Sequence, residues 1–103
     1  MSHKQLEHAA IPDRLLGSFS LRLLASIERL GDRATGANLL VDLSEKLGRD
    51  VAIGQLYLTL ARLSDHGLIS SEILNSEPVK GGRRKKLFKL ETSGKRALNT
   101  MVV

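Results

Sequence analysis

GQLYLTLARLSDHGLISSEIL (residues 54–74), NSEPVKGGRRKK (75–86), LFKL (87–90) and ETSGKRAL (91–98) form the stretch whose reading decides the fold. Leu56, Leu60 and Leu63 recur at steps of four and three, one face of a helix from about Gly54 to His66. Gly67 ends that helix, and Leu68-Ile69 opens a strand that continues to about Leu74. Asn75-Ser76-Glu77-Pro78 bends the chain, and Lys80-Gly81-Gly82-Arg83 makes a tip. Lys86 to Leu90 returns as a second strand, with Phe88 and Leu90 on one face and Leu87 on the other. Thr92 or Glu91 then opens a last helix that reaches Met101 at most. A helix followed by a hairpin with a basic tip is the pattern of a winged helix-turn-helix. Such a module offers double-stranded DNA a helix for the major groove and a wing for the backbone or minor groove.

Working outward from that stretch, the charge is one-sided. Residues 1–79 carry eight Lys/Arg and ten Asp/Glu, a net of −2. Residues 80–103 carry eight Lys/Arg and one acid, Glu91, a net of +7 within the overall +5. Basic loops are often merely solvated; a basic loop directly behind a helix of this kind points to a polyanionic partner.

On the N-terminal side, residues 1–11 read as a flexible polar arm, and the domain as residues 12–103, with the wing at 68–91 and the C-terminal helix at about 92–101. Ile11-Pro12-Asp13 looks like a helix start. Leu16, Phe19, Leu23, Ile27 and Leu30 then form a stripe, with Leu15, Leu21 and Leu24 largely off it. That extra apolar surface suits either a homodimer contact or packing against the chain's own last helix. Gly31-Asp32 stops this first helix. A second follows over roughly 36–47, with Thr35 a candidate cap, Leu39, Leu40, Leu43 and Leu47 apolar, and Gly48 at its end. The short joint through Arg49-Asp50 and Val51-Ala52-Ile53 completes the helix-turn-helix. The fold class expected is mostly α with a small β-hairpin: a three-helix core, a two-stranded wing and a short C-terminal helix.

Composition narrows the function. One domain is expected from 103 residues, and 42% hydrophobic content suits a folded core. One Tyr, two Phe and no Trp make that core aliphatic. With no cysteine there is no disulfide, thiolate nucleophile or Cys-based zinc site, which agrees with a cytoplasmic setting. No signal peptide is evident, and no stretch nears the ~20 apolar residues a membrane span needs. His3, His8 and His66 are scattered, so no metal is expected. No nucleophile setting or phosphate-binding loop is recognisable, so no enzyme and no cofactor are expected.

Together these residues resemble the PadR family of bacterial transcription regulators over about 14–98. The resemblance rests on Gly54-Gln55-Leu56-Tyr57, Leu60, Arg62-Leu63 and Gly67-Leu68-Ile69. It rests also on the basic wing Gly82-Arg83-Arg84-Lys85-Lys86, on Phe88-Lys89-Leu90 with Gly94 and Lys95-Arg96, and on Gly36 at the start of helix 2. Three departures stand out: Ala37 where an aromatic is common, Glu91 where threonine is usual, and a chain that ends just after helix 4 begins. Larger relatives have a separate C-terminal dimerisation region. Any dimer here is therefore expected to use Leu15, Leu21, Leu24, Leu98, Met101 and Val102.

The resemblance implies a sequence-specific DNA-binding regulator, nucleoid-associated, acting as a homodimeric repressor on a two-fold operator. Candidate DNA contacts are Gln55, Tyr57, Leu58, Thr59 and Arg62 on the helix and Lys80, Arg83, Arg84, Lys85 and Lys86 on the wing. Gln55 can pair bidentately with adenine, and Thr59 can hydrogen-bond or meet a thymine methyl. Tyr57 and Arg62 suit phosphates, and Tyr57 equally suits packing; Leu58 can touch a base methyl or be a half-exposed helix leucine. The alternatives are a nucleoid or partition accessory with little sequence specificity, a protein-interaction winged helix, and an RNA binder, which the 3% aromatic content disfavours. An effector ligand is left open.

Overall fold

The computed structural model describes residues 17–74 and 85–102. Four helices and a two-stranded antiparallel hairpin are seen among them: α1 Ser18–Leu30, α2 Gly36–Leu47, α3 Ile53–Asp65, β1 Ile69–Ile73, β2 Lys86–Leu90 and α4 Thr92–Val102. A 3-10 turn, Gly31–Arg33, joins α1 to α2. The helix-turn-helix and the hairpin therefore stand where the sequence puts them. α3 begins one residue earlier than expected, and α4 runs one residue past Met101. The expected N-terminal arm, the start of helix 1 and the wing tip lie outside the described residues.

Local signals explain the boundaries. The Thr35 hydroxyl accepts from the Asn38 backbone N–H at 3.4 Å and caps α2. Gly48 closes α2 in a left-handed conformation, φ 70°. In the helix-turn-helix joint the Ser44 hydroxyl accepts from the Val51 N–H at 3.1 Å, and Val51 is buried. The joint is thus tied to the helix before it as well as packed on the core.

Aliphatic residues dominate the core. Leu56 and Leu63 are fully buried and Leu60 nearly so, with Leu39 and Leu43 of α2 beside them in one cluster. On α1 the buried positions are Ser20, Leu23, Leu24, Ser26 and Ile27, so the inward stripe is rotated from the expected one. Phe19 and Leu30 are half-buried flanks. A polar network accompanies the rotation. Ser26 is fully buried and its hydroxyl donates to Asp42 of α2 at 2.6 Å. Arg29 donates to Ser26 at 3.1 Å and pairs with Asp42. A buried hydroxyl needs a partner, and this network provides one while fixing α1 against α2.

The hairpin register pairs Ile69 with Leu90, Ser71 with Phe88 and Ile73 with Lys86. The Leu74 N–H donates to Lys85 at 2.8 Å and carries the ladder one step further. The other edge of β2 is occupied too: the Phe88 N–H donates to the Ala34 carbonyl at 2.9 Å, and Thr35 bridges Leu87. The segment between α1 and α2 thus acts as a third short strand. Leu87 and Phe88, which alternation places on opposite faces, are both buried. α4 is drawn in close to the α3–β1 turn. The Ser93 hydroxyl donates to the Gly67 carbonyl at 2.8 Å, and the Glu91 N–H donates to the Leu68 carbonyl at 2.9 Å. At Gly94 the backbones come so near that a Cβ would collide with the Leu68 carbonyl oxygen.

Candidate nucleic-acid interface

Tyr57 on the flank of α3 and Lys85 and Lys86 at the root of the wing line one cleft. Gln55, Tyr57, Leu58 and Arg62 are all exposed on α3. The helix has no side-chain cap at Ala52, so its first backbone N–H groups lack a side-chain acceptor at the end that would meet DNA. Thr59 is half-buried and its hydroxyl donates to the Gln55 carbonyl at 2.9 Å. That bond occupies the Thr59 hydroxyl proton, whereas the Gln55 side chain is exposed.

Tyr57 plays a packing part as well as an exposed one. Its hydroxyl lies against Gly36 at the start of α2, where a Cβ would overlap it. Tyr57 also lines a cleft of about 750 Å³ between α2, α3 and the wing root, together with Arg33, Asn38, Lys85, Lys86 and Phe88. Three cations against one acid, Asp32, give this cleft a positive rim over an apolar floor. A phosphate is the group such a rim suits, since cationic side chains and helix-start N–H groups both stabilise it.

Lys85 and Lys86 are exposed on this cleft, as expected of wing cations. Lys80, Arg83 and Arg84 lie outside the described residues. Arg33 was not singled out from the sequence. It stands in the 3-10 turn, and its carbonyl accepts from the Asn38 side chain at 2.8 Å. The signal was available, as a cation three residues ahead of the glycine that opens α2. Its placement beside the wing depends on the pairing of Ala34 and Thr35 with β2, which no local pattern announces.

Two of the residues expected at a dimer contact are corrected. Leu24 is fully buried and Leu98 is 5% exposed, so both are spent on the protomer's own core. Leu24 turns inward because the buried stripe of α1 is rotated from the expected one, and Leu98 turns inward from α4. Leu21 is half-buried against the core. Leu15 and the side chains of Met101 and Val102 lie outside the described residues. On the wing, Lys89 pairs with Glu72 at 2.8 Å, which raises the lysine pKa and takes that cation out of the free positive surface.

A fold of this kind is known. The chain matches the family model of the transcriptional regulator PadR-like family over residues 23–100. It belongs to the PadR-like family of transcriptional regulators. Members of that family bind DNA and are regulators of transcription, not enzymes. Among curated proteins none matches the chain in sequence. Solved structures share its fold. TA0346 of Thermoplasma acidophilum, assigned to transcriptional regulation, is similar at a TM-score of 0.65 and 18% identity, over 96% of this chain and 81% of that one. BpsR of Bordetella bronchiseptica, whose DNA binding is regulated by 6-hydroxynicotinic acid, is similar at a TM-score of 0.68 and 16% identity, over 95% of this chain and 68% of that one. No helix among the described residues is long and apolar enough to cross a membrane.

Proposed function

We propose that this PadR-like chain is a sequence-specific repressor that binds a two-fold operator as a homodimer, with α3 in the major groove and the wing cations on the backbone or minor groove. One observation carries the reading: Tyr57, on the flank of the exposed side of α3, shares a cleft with the wing-root cations Lys85 and Lys86, which supports a duplex meeting helix and wing together. The net +7 of residues 80–103 supplies the attraction. Arg33 joins Lys85 and Lys86 as a phosphate contact, and Gln55 reads a base edge. The dimer contact is drawn to Leu21, Leu15 and the end of α4, since Leu24 and Leu98 have no surface to give. Two protomers then set their recognition helices about one DNA turn apart, ~34 Å.

The test is fluorescence anisotropy with the DNA upstream of the protein's own gene and with a scrambled duplex, over a salt series, using wild type and the Arg83→Ala/Arg84→Ala variant. Tight binding to the native duplex is expected, falling steeply with salt. The variant should bind more weakly with a slope shallower by up to ~2, since each phosphate contact contributes roughly 0.9. Equal affinity for both duplexes would replace a specific repressor with a nucleoid-like role. No binding to either at low salt would move the search to protein partners.

A further inference from the structure

On α3, Gly54, Leu58 and Ala61 follow one another at steps of four and three, on the side opposite Leu56, Leu60 and Leu63. All three are exposed, and Leu58 is 53% exposed. A Cβ placed on Gly54 would meet nothing, so the surface beside Leu58 is open. The centre of the outward side is therefore one projecting aliphatic side chain between two residues of minimal size. Gln55 and Arg62 border it on one flank. Tyr57 borders it on the other, towards Arg33, Lys85 and Lys86. Asp65 closes the stripe at the C-terminal end of the helix, which favours an approach by the N-terminal half.

We infer that Leu58 reads thymine through its C5-methyl group, and that the operator half-site presents such a methyl opposite the middle of α3. This rests on the DNA-binding reading above and names the base chemistry it uses. The argument is one of matching. Leucine has no hydrogen bond to give, and the thymine methyl is the apolar group that a base pair shows in the major groove. Gly54 and Ala61 let the helix come close enough for contact. The cationic border selects a polyanion over a second copy of the same surface, which would repel it. The Thr59 hydroxyl, held by the Gln55 carbonyl, leaves Gln55 to supply the hydrogen bonding beside that methyl.

The experiment enriches a duplex from a random library with the wild-type chain, then replaces each thymine of one half-site by deoxyuridine, which removes only the methyl. Anisotropy titrations are run with wild type and Leu58→Ala. Loss of roughly fourfold in affinity is expected at one or two positions, the value of one buried methyl. In Leu58→Ala that loss should vanish at the position concerned and persist elsewhere. The deoxyuridine series uses the wild-type protein and so does not depend on how the variant folds. If wild type binds every deoxyuridine duplex as tightly as the thymine one, yet still prefers it to a scrambled duplex, methyl reading is overturned and DNA binding stands. If the loss survives unchanged in a folded Leu58→Ala, the assignment to Leu58 is overturned. If the folded wild type enriches no duplex, the DNA-binding reading fails and takes this inference with it.

Discussion

The two sides of α3 carry the same amino acid for different ends. Leu56, Leu60 and Leu63 have 0–2% of their surface exposed, whereas Leu58 keeps 53%. The residue type and the backbone are the same at all four positions, so the difference comes from what packs against each side. Inward leucines are held by α2 and the wing root; the outward one meets solvent. The sharpest way to break this comparison is a matched pair of truncations. Leu56→Ala should destabilise the fold by about 2–5 kcal/mol, through lost transfer energy and a cavity. Leu58→Ala should change stability by no more than about 0.5 kcal/mol. Urea unfolding followed by circular dichroism measures both. Similar losses for the two would mean that the outward side is packed, and would remove the basis for a DNA-reading face.

The same contrast recurs at two glycines where elements come too close for a Cβ. At Gly94 the obstacle is the backbone carbonyl of Leu68, which is fixed by its bond to Glu91. At Gly36 it is the tip of Tyr57, a half-exposed side chain with room to swing away. Gly94→Ala is therefore expected to cost about 1–3 kcal/mol, because rigid main chain must shift. Gly36→Ala should cost less and instead reshape the cleft between Tyr57 and the wing. Thermal melts of the two variants set the order, and a larger loss at Gly36 would show that Tyr57 is locked in place rather than resting there.

These glycines also mark what the sequence could tell. The helix-turn-helix and hairpin were legible because they rest on local signals: leucines at steps of three and four, Thr35 and Gly48 at the ends of α2, alternation in residues 86–90. The wing cations Lys85 and Lys86 and the open positions of α3 were legible for the same reason. What was not legible depends on contacts between distant segments. The rotation of α1 comes with a buried serine whose partner stands sixteen residues on. The placement of Arg33 beside the wing follows from the pairing of Ala34 and Thr35 with β2. Leu24 and Leu98 look like surplus apolar residues until both are seen inside the core. Periodicity counts hydrophobic residues correctly but cannot say which way a helix turns when a buried polar pair competes with its leucines.

That polar pair carries a smaller expected cost than Leu56 or Gly94 and separates α1–α2 packing from the apolar core beneath it. Burial alone would push the Asp42 carboxyl up. Hydrogen bonds from Arg29 and Ser26, with the charges of Arg29 and Lys46, outweigh it, and the pKa lies below the usual 3.8. A carboxylate whose pKa is lower in the folded state contributes stability above its unfolded value, near pH 4. That contribution fades as pH falls through the folded value. Asp42→Asn keeps the shape and an acceptor but removes the charge, so it should cost about 1 kcal/mol at pH 7. Unfolding free energies of wild type and Asp42→Asn, measured from pH 7 down to pH 2, should differ by a constant amount above about pH 5 and converge below about pH 4. Because the other carboxylates titrate alike in both proteins, the difference isolates this one group. A gap that stays open at pH 2 would assign the cost to altered packing around Ser26, and α1 would then owe its orientation to shape instead of charge.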